Sequence, residues 1–199
     1  MAYKNLSYGM SNFADLVESN YAYVDKTRFI ELLEKESCRY QFFVRPRRFG
    51  KSLFLSLMEN YYDLNRKDKF ETLFGNFYIG KHPTSEQGKY AILKFNFSGI
   101  DIRTHDSFRD SFSDNVQETV KLFLKKYKNL FPEYANLLDS PDKKVGIGAM
   151  NLFYTATIST NTPVFVIIDE YDSFANNLIA IGEAYGSEMK KEGGLVRAF

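Results

Sequence analysis

Phe42-Phe43-Val44-Arg45-Pro46-Arg47-Arg48-Phe49-Gly50-Lys51-Ser52 is the stretch on which the reading of this chain turns. An apolar run at about 41–45 reads as a strand, a basic turn follows, and Gly50-Lys51-Ser52 opens a helix at about 51–63. Strand, turn and helix in that order make a phosphate cradle. Backbone N–H groups of the turn and of the helix N-terminus converge on the same oxygens. In such a P-loop, Lys51 reaches the β- and γ-phosphates and the Ser52 hydroxyl ligates Mg²⁺. The motif asks for Gly at its first position, where this chain has Arg45. Taken alone, the tripeptide is also an ordinary helix start. Leu53, Phe54, Leu55, Leu57, Met58, Tyr61 and Tyr62 make the helix apolar nearly all round, as burial against a sheet requires.

A second segment has matching chemistry. Val164-Phe165-Val166-Ile167-Ile168 is an apolar, β-branched run after Pro163 and reads as a strand buried on both faces. It ends in Asp169-Glu170-Tyr171-Asp172. Acidic residues can simply end a strand and cap the next helix. They also stand at the carboxyl edge of the strand, where open α/β sheets bind ligands. Beside Lys51 and Ser52 their roles divide: Asp169 would hold Mg²⁺, and Glu170 would orient and deprotonate an attacking water.

Composition bounds the rest. The 199 residues are 44% hydrophobic and 26% charged, enough for one domain with a core. A net charge of +1 gives no global basic field for nucleic acid. Cys38 is the single cysteine, so no internal disulfide forms, which fits a reducing cytoplasm. Cys38 with His82 and His105 makes no zinc pattern. Met1–Met10 lacks the layout of a signal peptide, and no apolar run approaches the length of a membrane span.

Along the chain the elements alternate. Asp25 is a plausible N-cap for a helix whose apolar face is Phe29, Ile30, Leu32 and Leu33. A loop-rich stretch follows the P-loop helix, marked by Gly75, Gly80, Pro83 and Gly88. A second strand is expected at about 90–97 and a long helix at about 105–129, with Phe108, Phe112, Val116, Val120 and Phe123 at helical spacing. The lysines opposite that face read as solvated. A shorter helix at about 143–159 leads to a third strand at 163–169, and a weak helix from about 173. Strand–helix–strand order with buried strands implies a parallel sheet with helices on both faces. Arg47 and Arg48 read equally as phosphate contacts or as loop charges paired with Asp172 or Asp25. Asp101 could face the nucleotide or serve a turn, and Tyr171 reads as packing.

Four motifs occur in order: Tyr23-Val24-Asp25-Lys26-Thr27, Arg45 to Ser52, Phe95-Asn96-Phe97-Ser98-Gly99-Ile100-Asp101, and Ile168 to Asp172. Together they resemble the AAA-ATPase-like family, whose longer members carry a C-terminal nuclease-like domain of the PD-(D/E)XK type. The family pattern tolerates Arg at the first P-loop position. The resemblance implies a three-layer P-loop NTPase with a mostly parallel sheet, ATP and Mg²⁺ as ligands, and hydrolysis at the β–γ phosphoanhydride. Lys51 and Glu170 would be catalytic. Arg47, Arg48, Phe49, Gly50, Lys51 and Ser52 would bind nucleotide, and Ser52 and Asp169 would bind metal. In the family a further strand lies between the first and third, and nothing after Asp172 reads as that strand. Residues 1–199 are therefore expected to be the N-terminal part of one ATPase module, without the nuclease-like domain. Two other readings stay open: a nucleotide-dependent switch with little hydrolysis, and the ATPase part of a nucleic-acid-processing protein. A protein partner or self-association is open, and no membrane contact is expected.

Overall fold

The computed structural model describes residues 5–6, 8–36, 38–44, 46, 48–101, 103–137, 139 and 146–171. The described residues have α/β character, with helices and, among them, a small parallel sheet of two strands. Its contacts divide it into two compact units, Met1–Ala91 and Ile92–Phe199.

The first unit is helical. Helix α1 spans Phe13–Glu18, and the Asn12 side chain accepts the N–H groups of Ala14 and Asp15 at its start. Helix α2 spans Arg28–Lys35 and helix α3 spans Lys51–Tyr62. The Ser56 hydroxyl of α3 accepts the Phe13 N–H at 3.0 Å, tying α3 to α1. Phe13, Phe74 and Tyr61 build the core, with the Phe13 and Phe74 rings stacked at 5.1 Å between centroids.

Three expectations for this unit change. Residues 41–44 form no strand, and Phe42 and Val44 are 72% and 78% exposed. A strand needs a ladder partner for its N–H and C=O groups, and 41–44 belong to no ladder among the described residues. On α2 only Ile30 of the expected face is buried, while Phe29 and Leu32 stand exposed. The expected loop after α3 is instead a 3₁₀ turn at Leu64–Lys69 followed by α4 (Phe70–Phe74) and α5 (Tyr78–Lys81). Gly75 and Gly80 are packing residues there. A Cβ on Gly80 would stand 2.0 Å from the Phe74 carbonyl oxygen, and one on Gly75 would stand 2.6 Å from that of Glu71.

The second unit follows the sequence closely. Strand β1 is Ala91–Asn96, helix α6 is His105–Lys126, helix α7 is Gly146–Ser159 and strand β2 is Val164–Asp169. Helix α6 starts where Thr104 and Ser107 form a reciprocal capping box. It buries Phe108, Phe112, Val116, Val120 and Phe123, the face its spacing specifies. Lys121 and Lys125, on its other side, both pair with Asp139. Tyr127 packs beneath β1, its hydroxyl oxygen accepting the Ile92 N–H at 2.8 Å. One expectation changes: β2 is not buried on both faces. Ile167 and Asp169 point inward, but Val166 and Ile168 are 50% and 44% exposed. No described helix is long and apolar enough to cross a membrane.

Candidate functional site

The basic loop of the first unit has an unusual backbone. Arg48 and Gly50 both adopt left-handed φ values, 66° and 78°, on either side of Phe49. Gly50 tolerates this because it has no Cβ. Arg48 is bulkier, and a bulky residue in that region is uncommon. The Pro46 carbonyl accepts the Phe49 N–H at 3.4 Å, so the chain turns sharply before α3. Gly50 is the N-cap of α3, and its carbonyl accepts the Phe54 N–H at 3.0 Å.

Lys51 and Ser52 therefore occupy the first two positions of α3, half-buried, with Phe49 exposed beside them. The first N–H groups of any α-helix lack intrahelical partners and carry the positive end of its dipole. Helix α3 has no acidic residue in its first turn to compensate. The loop and helix start thus bring backbone donors and positive charge together, an arrangement that can bind an anion. Lys26, not singled out from the sequence, also reaches this place: its Nζ stands 3.9 Å from the point a Cβ would occupy on Gly50. Arg45 and Arg47 lie outside the described residues. Asp25 does not pair with Arg48. Its carboxylate accepts from Thr27 and from the Tyr78 N–H, but the N-cap of α2 is Thr27 and not Asp25 as the sequence suggested.

The acidic segment belongs to the second unit. Asp169, the last residue of β2, is buried. Its main-chain carbonyl accepts the Phe97 N–H at 3.2 Å, beyond the end of β1. Its carboxylate Oδ1 accepts the Glu170 N–H at 2.9 Å. Glu170 is half-buried and takes a left-handed φ of 58°. Non-glycine residues in that region cluster at functional sites, and no periodicity or composition signal in the sequence announces one. Tyr171 has helical backbone, and Asp172 lies outside the described residues. Asp101 turns out to serve its own loop. Arg103 grips its carboxylate through Nε and Nη2, which holds it down at about 2.

Ser52 and Asp169, which belong to different units, each offer oxygen, the ligand type that a hard cation such as Mg²⁺ takes. Among the described residues no group of three or more His, Cys, Asp or Glu is placed to hold a metal by itself.

Comparison with known proteins gives a consistent result. The profile of the AAA-ATPase-like family, described as predicted AAA-ATPase, matches residues 7–199. The chain is 30% identical over 182 residues to an uncharacterized protein in the vnfD 5′ region of Azotobacter chroococcum mcd 1. That match takes in 86% of this chain and 30% of the relative, so the chain spans about a third of that relative's length. No solved structure matches.

Proposed function

The chain belongs to the predicted AAA-ATPase family, and on that footing we propose that it binds ATP and hydrolyses it with Mg²⁺. The observation that carries the reading is the left-handed Gly50 leading directly into Lys51 and Ser52 at the start of α3. The proposed architecture is a three-layer P-loop NTPase whose module this chain contributes.

Each residue has a role in that chemistry. Backbone N–H groups of Arg48, Gly50, Lys51 and Ser52 hold phosphate oxygens, and Arg47 and Phe49 are proposed as further nucleotide contacts of the same stretch. Lys51 places its ammonium against the β- and γ-phosphates and offsets the charge that spreads over the transferred phosphoryl group. Ser52 and Asp169 are the protein oxygens that would hold Mg²⁺, which when bound neutralises phosphate charge. Glu170 accepts a hydrogen bond from the attacking water and takes its proton as the oxygen–phosphorus bond forms. The bond from the γ-phosphorus to the bridging oxygen breaks, leaving ADP and phosphate. The bond from the Glu170 N–H to Asp169 Oδ1 fixes one carboxylate against the backbone that carries the other.

Equilibrium titration with a fluorescent ATP analogue tests the binding half directly. Wild type binds in the presence of Mg²⁺, and Lys51→Ala loses binding while keeping its fold, since a half-buried lysine at a helix start contributes little to the core. Equal affinity in the two proteins would remove the reading.

A further inference from the structure

Two polar side chains of α6, one helical turn apart, reach across to the chain as it leaves β1. The Ser111 hydroxyl accepts the Asp101 N–H at 2.9 Å. The Asn115 side chain donates from Nδ2 to the Asn96 carbonyl at 3.0 Å. Between those points Phe97 and Ile100 are buried, and the Phe97 ring lies against Phe112 of α6 at 5.6 Å between centroids. The exit of β1 is therefore fixed to one face of α6.

For stability alone, asparagine is a poor residue at position 115. It is disfavoured in a helix interior. Its Oδ1 is buried and accepts no hydrogen bond among the described residues, which costs further stability. Its Nδ2 serves the carbonyl of an exposed residue, which water could serve instead. What the bond does secure is an orientation. The Asn96 carbonyl and the Phe97 N–H belong to one planar peptide unit, so fixing the first fixes the second. That Phe97 N–H donates to the Asp169 carbonyl at 3.2 Å. The Asp169 carboxylate in turn accepts the Glu170 N–H at 2.9 Å, where Glu170 turns with its φ of 58°. A line of hydrogen bonds through one peptide unit thus runs from α6 to the proposed base, wholly within the second unit.

We infer that Asn115 is a positioning residue of the hydrolytic site. It holds the Asn96–Phe97 peptide, and through it the Asp169–Glu170 turn, in the orientation that directs the Glu170 carboxylate to water. The inference rests on the reading of Glu170 as the general base.

The test uses the full chain as wild type, Asn115→Leu, Asn115→Ala, Glu170→Gln and the double variant of Asn115→Leu with Glu170→Gln. Each is assayed for Mg²⁺-dependent phosphate release, for affinity toward a fluorescent ATP analogue, and for its melting temperature. Asn115→Leu keeps the side-chain volume and removes the donor and the orphaned oxygen together, so its melting temperature should not fall. Its turnover should drop about tenfold or more, the scale on which small misplacements of a catalytic group act, with affinity unchanged. In the Glu170→Gln background the same substitution should slow release no further, since a base that is absent cannot be misplaced. Wild-type turnover in Asn115→Leu, beside slow turnover in Glu170→Gln, overturns the inference and leaves the base assignment standing. A rate loss that repeats in full in the Glu170→Gln background, or that comes with a lowered melting temperature in both Asn115 variants, makes Asn115 structural and also overturns it. If wild type releases no phosphate, or Glu170→Gln matches it, both fall.

Discussion

The Asp169 carboxylate accepts the backbone N–H of Glu170 at 2.9 Å, and Glu170 sits at a φ of 58°. The two observations belong together. A left-handed residue after a strand turns the chain abruptly, and the hydrogen bond its N–H donates to the preceding side chain offsets part of the cost. In the proposed chemistry, that turn sets the direction of the carboxylate that activates water.

Glu170 should therefore separate stability from activity. The left-handed conformation costs a non-glycine residue about 1–2 kcal/mol. Glu170→Gly relieves it and should stabilise the protein by up to about 1 kcal/mol, net of the greater freedom glycine has when unfolded. The same variant should lose ATP hydrolysis. Denaturant midpoints and phosphate release, measured on one preparation, check both halves. A destabilised Glu170→Gly variant would contradict the strain argument.

Gly50 makes the opposite prediction. Its φ of 78° is open to glycine and disfavoured for alanine. Gly50→Ala should lose about 1–2 kcal/mol of stability and bind nucleotide more weakly, because relaxing the backbone moves the N–H groups of the loop. The nearest foreign atom to a new Cβ is Lys26 Nζ at 3.9 Å, which is no clash. A stability loss here would come from conformation alone.

Thr27 links α2 and α5 through one buried hydroxyl. Thr27→Val keeps the shape and removes the acceptor, leaving the buried Ile79 N–H unpaired. The expected cost is about 1–3 kcal/mol, seen as a lower denaturant midpoint. Thr27→Ser, which restores the oxygen, should recover much of it. A valine variant as stable as wild type, with the loss confined to serine, would mean that the methyl group, and not the bond, matters.

Alkaline pH should weaken the first unit. Burial pushes the Tyr62 and Tyr23 phenols well up, and the Glu86 carboxylate accepting the Tyr90 hydroxyl is the main cause that pushes Tyr90 up to about 12. A phenol whose pKa is raised on folding contributes stability that is complete below its unfolded value, about 10, and is lost as pH rises through the folded value. Melting temperature should therefore decline from about pH 10 to about pH 12 and beyond. The absorbance of ionised tyrosine should rise in step with unfolding. Full ionisation of every tyrosine near pH 10 with the fold intact would contradict the assigned burial.

The sequence was most legible where one pattern decided the outcome. Phe108, Phe112, Val116, Val120 and Phe123 specify the face of α6, while the Thr104–Ser107 capping box that starts it emerged only in the structure. Val164 to Ile168 specify β2, but not that Val166 and Ile168 would stand half open. Apolar character signals a strand without saying whether its second face is covered. The run at 41–44 misled for a related reason: extended structure depends on a partner, and a partner is not a property of the run. Helices α4 and α5 are too short for a periodic signal, and Gly75 and Gly80 hid them by resembling loop residues. In the candidate site, the helix start at Gly50, Lys51 and Ser52 was legible from their spacing. The turn at Glu170 and the approach of Lys26 to Gly50 were not, because both depend on backbone geometry that residue type alone does not encode.

Mg²⁺-dependent phosphate release from ATP by wild type and Glu170→Gln, with ATP affinity measured on both, tests the central claim most directly. The account predicts equal binding and hydrolysis slower by about 10²–10⁴-fold in the variant, the usual effect of losing a general base. Equal hydrolysis rates in the two proteins, or no release by wild type when ATP is bound, would contradict it.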